Sequence, residues 1–279
     1  DDAANVALKI IAALRAPFPY GEHALYVTTS VGISVFPRDG QEAEALLQNA
    51  DTALYHAKER GRDAFQFYSP VMYSRTLERL ALQNQLRAAL EQDQFRIYYQ
   101  PQVELYGGQL IGMEAQLCWQ HPERGLLHGE QFLAVAEDSG LSLPLSDWGL
   151  RRACRQHRAW QQAGYPELRM AVNITGRLFK QEALGDLLAA VLDDTGLPPH
   201  LLELEIGESA AMQDVDYSIG MMHRLKALGV SLTLDHFGTG YSSLIYLKKF
   251  PITTLKIDRS IVQGLQKDPQ DESIVQAIV

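Results

Sequence analysis

The chain has 279 residues, 46% of them hydrophobic and 21% charged, with a formal net charge of −9. That length buries one large core or two smaller ones. No apolar run approaches the roughly 20 residues of a membrane-spanning helix, so no membrane contact is expected here, and the acidic balance argues against a nucleic-acid polymer as partner, since such binding takes clustered Lys and Arg. The two cysteines, Cys118 and Cys154, lack metal-ligand or disulfide spacing and point to a reducing, cytoplasmic setting. The first residues enter an amphipathic helix without a start signal and the last stop inside another, so both termini read as cut. The chain then reads as a cytoplasmic piece of a larger protein, whether or not that protein is attached to a membrane.

In chain order, residues 2 to 15 place Val6, Ile10, Ala13 and Leu14 on one helical face, and Pro17 to Gly21 ends that helix. Leu25 to Pro37 is rich in Val, Ile, Thr and Tyr and reads as strand, with Gly32 marking a bulge or a close approach. Apolar residues at helical spacing fill Gln41 to Arg62, with Gly61 as stop signal, and Ala64 to Tyr68 is a short edge-like strand before a connector at Ser69-Pro70. A polar helix from about Thr76 to Gln92 leads to strands at Phe95 to Pro101 and Gln109 to Trp119, which the turn Leu105-Tyr106-Gly107-Gly108 makes antiparallel. Helices follow near 129 to 138 and 146 to 163. Strands near 168, 201, 230 and 254 then alternate with helices near 180, 216, 243 and 270.

Several of these strands end on a polar or ionisable side chain: Glu114 lies within QLIGMEAQLCW, Asn173 ends LRMAVNIT, Glu205 and Glu208 end LLELEIGE, Asp235 and His236 end VSLTLDH, and TLKID carries Lys256 and Asp258. Strand ends that deliver such groups to one place are the mark of a (β/α) barrel with its site at the C-terminal rim. Six strands are visible, two short of a closed eight-stranded barrel. On residue type alone each position keeps a plainer reading. Glu114 also suits a satisfied edge carboxylate, Asn173 a turn, and Lys256, flanked by Leu255 and Ile257, a surface cation.

The motifs carry a resemblance. Residues 73–279, through Glu114-Ala115-Gln116, VNIT, ELEIGE, the Asp235 strand with FGTGYSSL after it and LKIDRS, resemble the EAL domain family, bacterial phosphodiesterases that hydrolyse cyclic di-GMP. Residues 1–72, through SVGISVFP and NADTALYHAKERGRDAFQFY, resemble the C-terminal half of a GGDEF (diguanylate cyclase) domain without its signature, so cyclase activity is not expected of this chain. The resemblance implies an α/β fold, an EAL-type TIM-like barrel with its first strand antiparallel, behind a partial αβ GGDEF domain. It implies two divalent ions, Mg or Mn, held by Glu114, Asn173, Glu205 and Asp235, with position 236 in the same shell. Lys256 and Glu114 take the catalytic positions, Lys256 beside the attacking water; Gln100, Gln116, Cys118 and Asp147 take ligand-contacting ones, and Glu208 braces the loop at 236 to 243. Lys58 and Arg62 match positions that touch nucleotide phosphates, but at i, i+4 on a helix end they also read as solvated charges. Cys154 and His157 read as structural.

The implied reaction is opening of cyclic di-GMP to linear pGpG; the alternative is a catalytically degenerate receptor or interaction module that meets a protein partner or a second copy of itself. Four departures from the family pattern separate them. His236 replaces a second Asp, and imidazole suits Mn better than Mg. Cys118 replaces an Arg, and a thiol cannot do the work of a bidentate guanidinium. Gln116 replaces the motif leucine, and His128-Gly129 a Ser-Pro pair.

Overall fold

In the computed structural model, residues 2–20, 23–59, 63–238, 244–265 and 269–278 are described, and the chain divides into two compact units, Asp1–Asn84 and Gln85–Val279. Gly61, Arg62 and residues 239–243 of the FGTGYSSL motif lie outside the described residues. No helix among the described residues is long and apolar enough to cross a membrane.

The first unit holds α1 (Asp2–Leu14), β1 (Phe18–Tyr20), β2 (His23–Leu25), β3 (Val31–Ile33), α2 (Ala43–Glu59) and β4 (Phe65–Phe67). In α1 the buried positions are Ala7 and Ile11, while Val6 and Ile10 are exposed. The helix is apolar on more than one face, so its period alone does not select the buried one. The β-rich stretch from Leu25 supplies the end of β2 and the three-residue β3, which pairs in parallel with β4 through Val31 and Phe65. Gly32 is there for a close approach: a Cβ at this position would stand 2.0 Å from the Ala50 carbonyl oxygen and 2.4 Å from the Leu54 nitrogen of α2. α2 packs against β3 through Ala53 and Ala57, both buried. Lys58, near the end of α2, is exposed.

Helix α3 (Pro70–Glu91) starts six residues earlier than the sequence pattern suggests. Pro70 opens the helix and does not begin a connector: the first helical position has no carbonyl to bond and suits proline's fixed φ.

The second unit is built on one seven-stranded sheet. Its strands are β5 (Phe95–Val103), β6 (Leu110–His121), β7 (Gly125–His128), β8 (Arg169–Ile174), β9 (Leu202–Gly207), β10 (Ser231–Phe237) and β11 (Thr254–Ile257). β5 is antiparallel to β6, and from β6 the sheet runs in parallel through β8, β9 and β10 to β11, with β7 paired off β6. The helices α4 (Gly129–Asp138), α5 (Ser142–Gln162), α6 (Gly176–Phe179), α7 (Leu184–Thr195), α8 (Glu208–Gln213), α9 (Val215–Ala227), α10 (Leu244–Leu247), α11 (Arg259–Gly264) and α12 (Pro269–Ile278) lie between and after the strands. This is the TIM-like barrel class with an inverted first strand.

Strand alternation sorts the side chains into two faces. Met170, Val172 and Ile174 of β8, Leu202, Leu204 and Ile206 of β9, and Leu232 and Leu234 of β10 join one core with Leu184, Leu188 and Val191 of α7 and Met221, Met222 and Leu225 of α9. At the β5–β6 end, Phe95, Trp119 and Phe132 pack ring on ring at 5.7 to 5.9 Å. The opposite face carries the polar residues in between, so that side of the sheet is where buried polarity has to be satisfied.

Gly32→Ala is expected to destabilise the first unit by about 1 to 3 kcal/mol, because the new methyl meets backbone and not a side chain that can turn away. Thermal unfolding of the full-length protein checks it; an unchanged melting temperature would mean that β3 and α2 separate without cost.

Candidate active site

The polar face of the sheet is layered by register. Asn173 of β8 stands opposite Glu205 of β9, Glu205 opposite Thr233 of β10, and Asp235 opposite Gly207 at the strand ends. Below them, Glu203 is 3% exposed and takes hydrogen bonds from Arg169 Nη1 at 3.0 Å and Thr233 Oγ1 at 2.6 Å. Above them, the side chains of five strands meet at one point. Lys256 Nζ donates to Glu114 Oε2 at 2.9 Å and to both oxygens of Glu205 at 2.8 Å, and Asp235 Oδ1 is 3.9 Å away. Asn173 Nδ2 donates to Glu114 Oε1 at 2.8 Å. The structure therefore brings together Glu114, Asn173, Glu205, Asp235 and Lys256.

The electrostatics follow from burial. Glu205 has no exposed side-chain surface, and desolvation pushes its carboxyl up to about 7 against the hydrogen bond from Lys256. Burial works against the Lys256 ammonium too, but its hydrogen bonds to Glu205 and Glu114 outweigh that and hold it above the ordinary lysine value. Lys256 thus stays charged, as the counter-ion of a cluster with more negative charge than it can neutralise.

At the mouth, His236 has φ +57°, a left-handed backbone uncommon for a residue with a side chain. Its backbone N–H donates to Asp235 Oδ1 at 2.8 Å, its Nδ1 lies 2.8 Å from Asp258 Oδ2, and its Nε2 is 3.5 Å from Asp235 Oδ2. The hydrogen bond to Asp258 raises the imidazole pKa despite burial. Asp258, which also caps α11 through Ser260, is held down at about 2 by its bonds to Ser260 and His236. Glu208 opens α8 and is 2% exposed; its Oε2 accepts the Gly238 N–H at 2.8 Å, fixing the start of the segment after β10.

A cleft of about 1520 Å³ opens over these residues. Gln100 and Gln116 line it and are hydrogen bonded to each other across β5 and β6. Cys118 and Asp147 do not line it. Cys118 is fully buried with its Sγ 3.6 Å from His128 Nδ1, and burial pushes its thiol pKa up. Asp147 accepts from Arg151 Nε at 2.7 Å one turn along α5. His128 and Gly129 border the cleft where β7 passes into α4. Cys154, whose thiol burial pushes up to about 12, and His157 are buried residues of α5 that do not line the cleft.

Two groups here were not assigned roles from sequence: Asp258, whose helix-cap position three residues before Ile261 was legible but whose bond to His236 spans 22 residues, and the Arg169–Glu203–Thr233 layer, whose partners are 30 and 34 residues apart. No group of three or more His, Cys, Asp and Glu among the described residues is arranged around a metal position. The Lys256 ammonium takes the central place between the carboxylates. The donor set itself fits a hard divalent ion, since Glu114, Glu205 and Asp235 offer carboxylate oxygens and Asn173 an amide oxygen, with no thiol among them.

The EAL domain family model matches residues 83–279, and the model for the diguanylate cyclase GGDEF domain matches residues 1–64. The bifunctional diguanylate cyclase/cyclic di-GMP phosphodiesterase MucR of Pseudomonas aeruginosa is 42% identical over 278 residues, covering 100% of this chain and 41% of that protein. The cyclic di-GMP phosphodiesterase NbdA of the same organism is 40% identical over 271 residues, 97% of this chain and 35% of that protein. The chain thus spans well under half the length of these relatives. A solved structure of the PaMucR phosphodiesterase in complex with c-di-GMP superposes with a TM-score of 0.69 at 43% identity, covering 71% of this chain and 80% of that one.

If Lys256 and a divalent cation compete for the same carboxylates, Lys256→Met should bind Mn about tenfold more tightly than wild type by titration calorimetry. In a chelator the same variant should lose about 1 to 3 kcal/mol of stability, less than a fully buried pair would because the Lys256 side chain is 29% exposed. Manganese should restore the melting temperature. Equal or weaker Mn binding by the variant would show that the ammonium and the metal do not share a place.

Proposed function

The chain belongs to the EAL domain family, and from that premise we propose that its acidic cleft binds cyclic di-GMP and hydrolyses it to linear pGpG in a metal-dependent reaction, with the GGDEF region acting as a regulatory module. The observation that carries this reading is the meeting of three carboxylates and one amide around a single ammonium in a cleft of about 1520 Å³. EAL domains are metal-dependent phosphodiesterases; here the ions are Mg or Mn, held by Glu114, Asn173, Glu205 and Asp235. When bound, such ions lower the pKa of a coordinated water and neutralise nonbridging phosphate oxygens.

The chain's own groups divide the remaining work. Without metal, its hydrogen bonds to Glu205 and Glu114 hold Lys256 protonated; we assign it the role of a cation that orients the incoming water and steadies charge on the phosphoryl oxygens. The water oxygen bonds to phosphorus as one ester P–O bond breaks, and one water proton ends on the departing oxygen, so the ring opens with a terminal phosphate on one end and a hydroxyl on the other. Glu208 acts at a distance from the reacting atoms: by holding the Gly238 N–H it fixes the backbone directly after Asp235 and His236. Gln100 and Gln116 present amides to the ligand from the β5–β6 wall.

A second reading, a receptor that binds cyclic di-GMP without turnover, draws support from His236, whose Nδ1 is committed to Asp258. Turnover by the full-length protein separates the two. The expected result is pGpG formation that is faster with Mn than with Mg, and a rise of about tenfold in Mg-supported turnover for His236→Asp, which returns an oxygen donor and a negative charge. Retained cyclic di-GMP binding with no product under either metal would favour the receptor; equal Mg activity in both versions would take position 236 out of the metal shell.

A further inference from the structure

Resting on the reading of the cleft as a cyclic di-GMP site, we propose that Arg177 and Lys180 form a second phosphate subsite, which grips the phosphodiester that is not being cleaved. Cyclic di-GMP carries two phosphodiesters on opposite sides of a macrocycle. One centre cannot neutralise both, and the acidic cluster with Lys256 at its middle can serve only one. Lys256 itself cannot reach out to the other, because Glu114 and Glu205 already hold its ammonium at 2.8 to 2.9 Å.

The remaining guanidinium and ammonium groups that line the cleft are Arg177, Lys180 and Arg259. Arg259 is directed along its own helix: with the Gln263 amide turned to the orientation that satisfies both groups, Gln263 accepts from Arg259 Nε at 2.8 Å and from Nη2 at 3.1 Å. Arg177 and Lys180 differ in what holds them. Arg177 Nη1 donates to the backbone carbonyl of Glu137, and Lys180 Nζ donates to the amide oxygen of Gln213. These acceptors are neutral, as Gln263 is for Arg259, and among the described residues neither Arg177 nor Lys180 forms an ion pair; what separates them from Arg259 is that they are held by other elements, α4 and α8, and not along their own helix. Two uncompensated positive charges at the wall of an otherwise acidic cleft match an anionic group set apart from the carboxylates.

Their support is rigid. α6 begins three residues after Asn173, Thr175 caps it by accepting the Leu178 N–H at 3.3 Å, and Leu178 and Phe179 are buried in the core. Gly176 lies so close to α8 that a Cβ would stand 3.2 Å from the Ala210 methyl. With the helix pinned on that side, Arg177 and Lys180 remain on its exposed side, one turn apart. A guanidinium there can take two phosphate oxygens at once. This arrangement supplies from α6 what the buried thiol of Cys118 cannot supply from β6.

The test is equilibrium binding of cyclic di-GMP to the full-length protein in EDTA, where the carboxylate cluster cannot attract phosphate through metal. Arg177→Gln keeps a donor for the Glu137 carbonyl while removing the charge, and Lys180→Gln does the same for its wall. Arg155→Ala removes an equal charge from an exposed position of α5 outside the cleft. The expected result is affinity lower by roughly tenfold to a hundredfold for Arg177→Gln and lower also for Lys180→Gln, with Arg155→Ala equal to wild type. Wild-type affinity in Arg177→Gln and Lys180→Gln, or a loss in Arg155→Ala as large as theirs, would overturn the subsite and leave the cyclic di-GMP reading intact. Failure of the wild type to bind in EDTA would overturn the subsite as well. Failure to bind with Mg and with Mn too would remove the functional reading beneath it.

Discussion

A lysine ammonium held between carboxylates at the end of a barrel sheet sets the terms for the rest of the second unit. Glu205 has no exposed side-chain surface, while Asp235 and Glu114 keep 12% and 17% of theirs, and an uncompensated charge at the depth of Glu205 costs several kcal/mol. The cluster is tolerable only while a cation stands in it. In the structure that cation is Lys256, delivered by β11 across 51 residues to Glu205 and across 142 to Glu114. A divalent ion satisfies the same carboxylates better, because it carries twice the charge and accepts several oxygens at once. On the proposed metal-dependent reading, a divalent ion would take over the constraint that Lys256 now meets at the barrel mouth.

The supporting layers make that geometry hard to escape. Arg169, Glu203 and Thr233 satisfy one another beneath the cluster, so β8, β9 and β10 are tied across their polar face as well as by their backbone ladders. Gly112 belongs to this arrangement: a Cβ there would come within 3.0 Å of the Arg169 carbonyl oxygen and 3.3 Å of its Cβ. At the mouth, Glu208 and Asp258 hold the backbone and the ring of the segment around His236 from two different helices. The positions proposed to carry the chemistry therefore rest on neighbours supplied by other elements.

Much of this was legible in the sequence, for reasons tied to particular residues. Glu205, Asp235 and Lys256 stand out because an ionisable group inside an apolar, β-branched run is expensive without a partner. The run LELEIG alternates as a half-exposed strand would, yet all of it except Gly207 is buried; alternation reports two chemically different faces and does not say that the polar one meets water. The four-residue β7 is too short to show a period, and Pro70, which on sequence suits a connector, starts a helix. Cys118 shows the same limit. Its place in the motif predicts a ligand contact, but whether a small side chain reaches a cleft depends on what covers it, and His128 comes from a separate strand. Pairings such as His236 with Asp258 are invisible for the same reason: each residue has an ordinary local role, and only the fold makes them neighbours.

The account turns on the claim that the carboxylates now bonded to Lys256 are the ones that take metal. Anomalous diffraction from crystals of the full-length protein soaked in MnCl2 decides it most directly. The predicted result is a manganese peak bonded to oxygens of Glu114, Asn173, Glu205 and Asp235, with Lys256 Nζ displaced from its 2.8 Å contacts to Glu205. Lys256 unmoved between Glu114 and Glu205, with no peak beside them at saturating manganese, would contradict it.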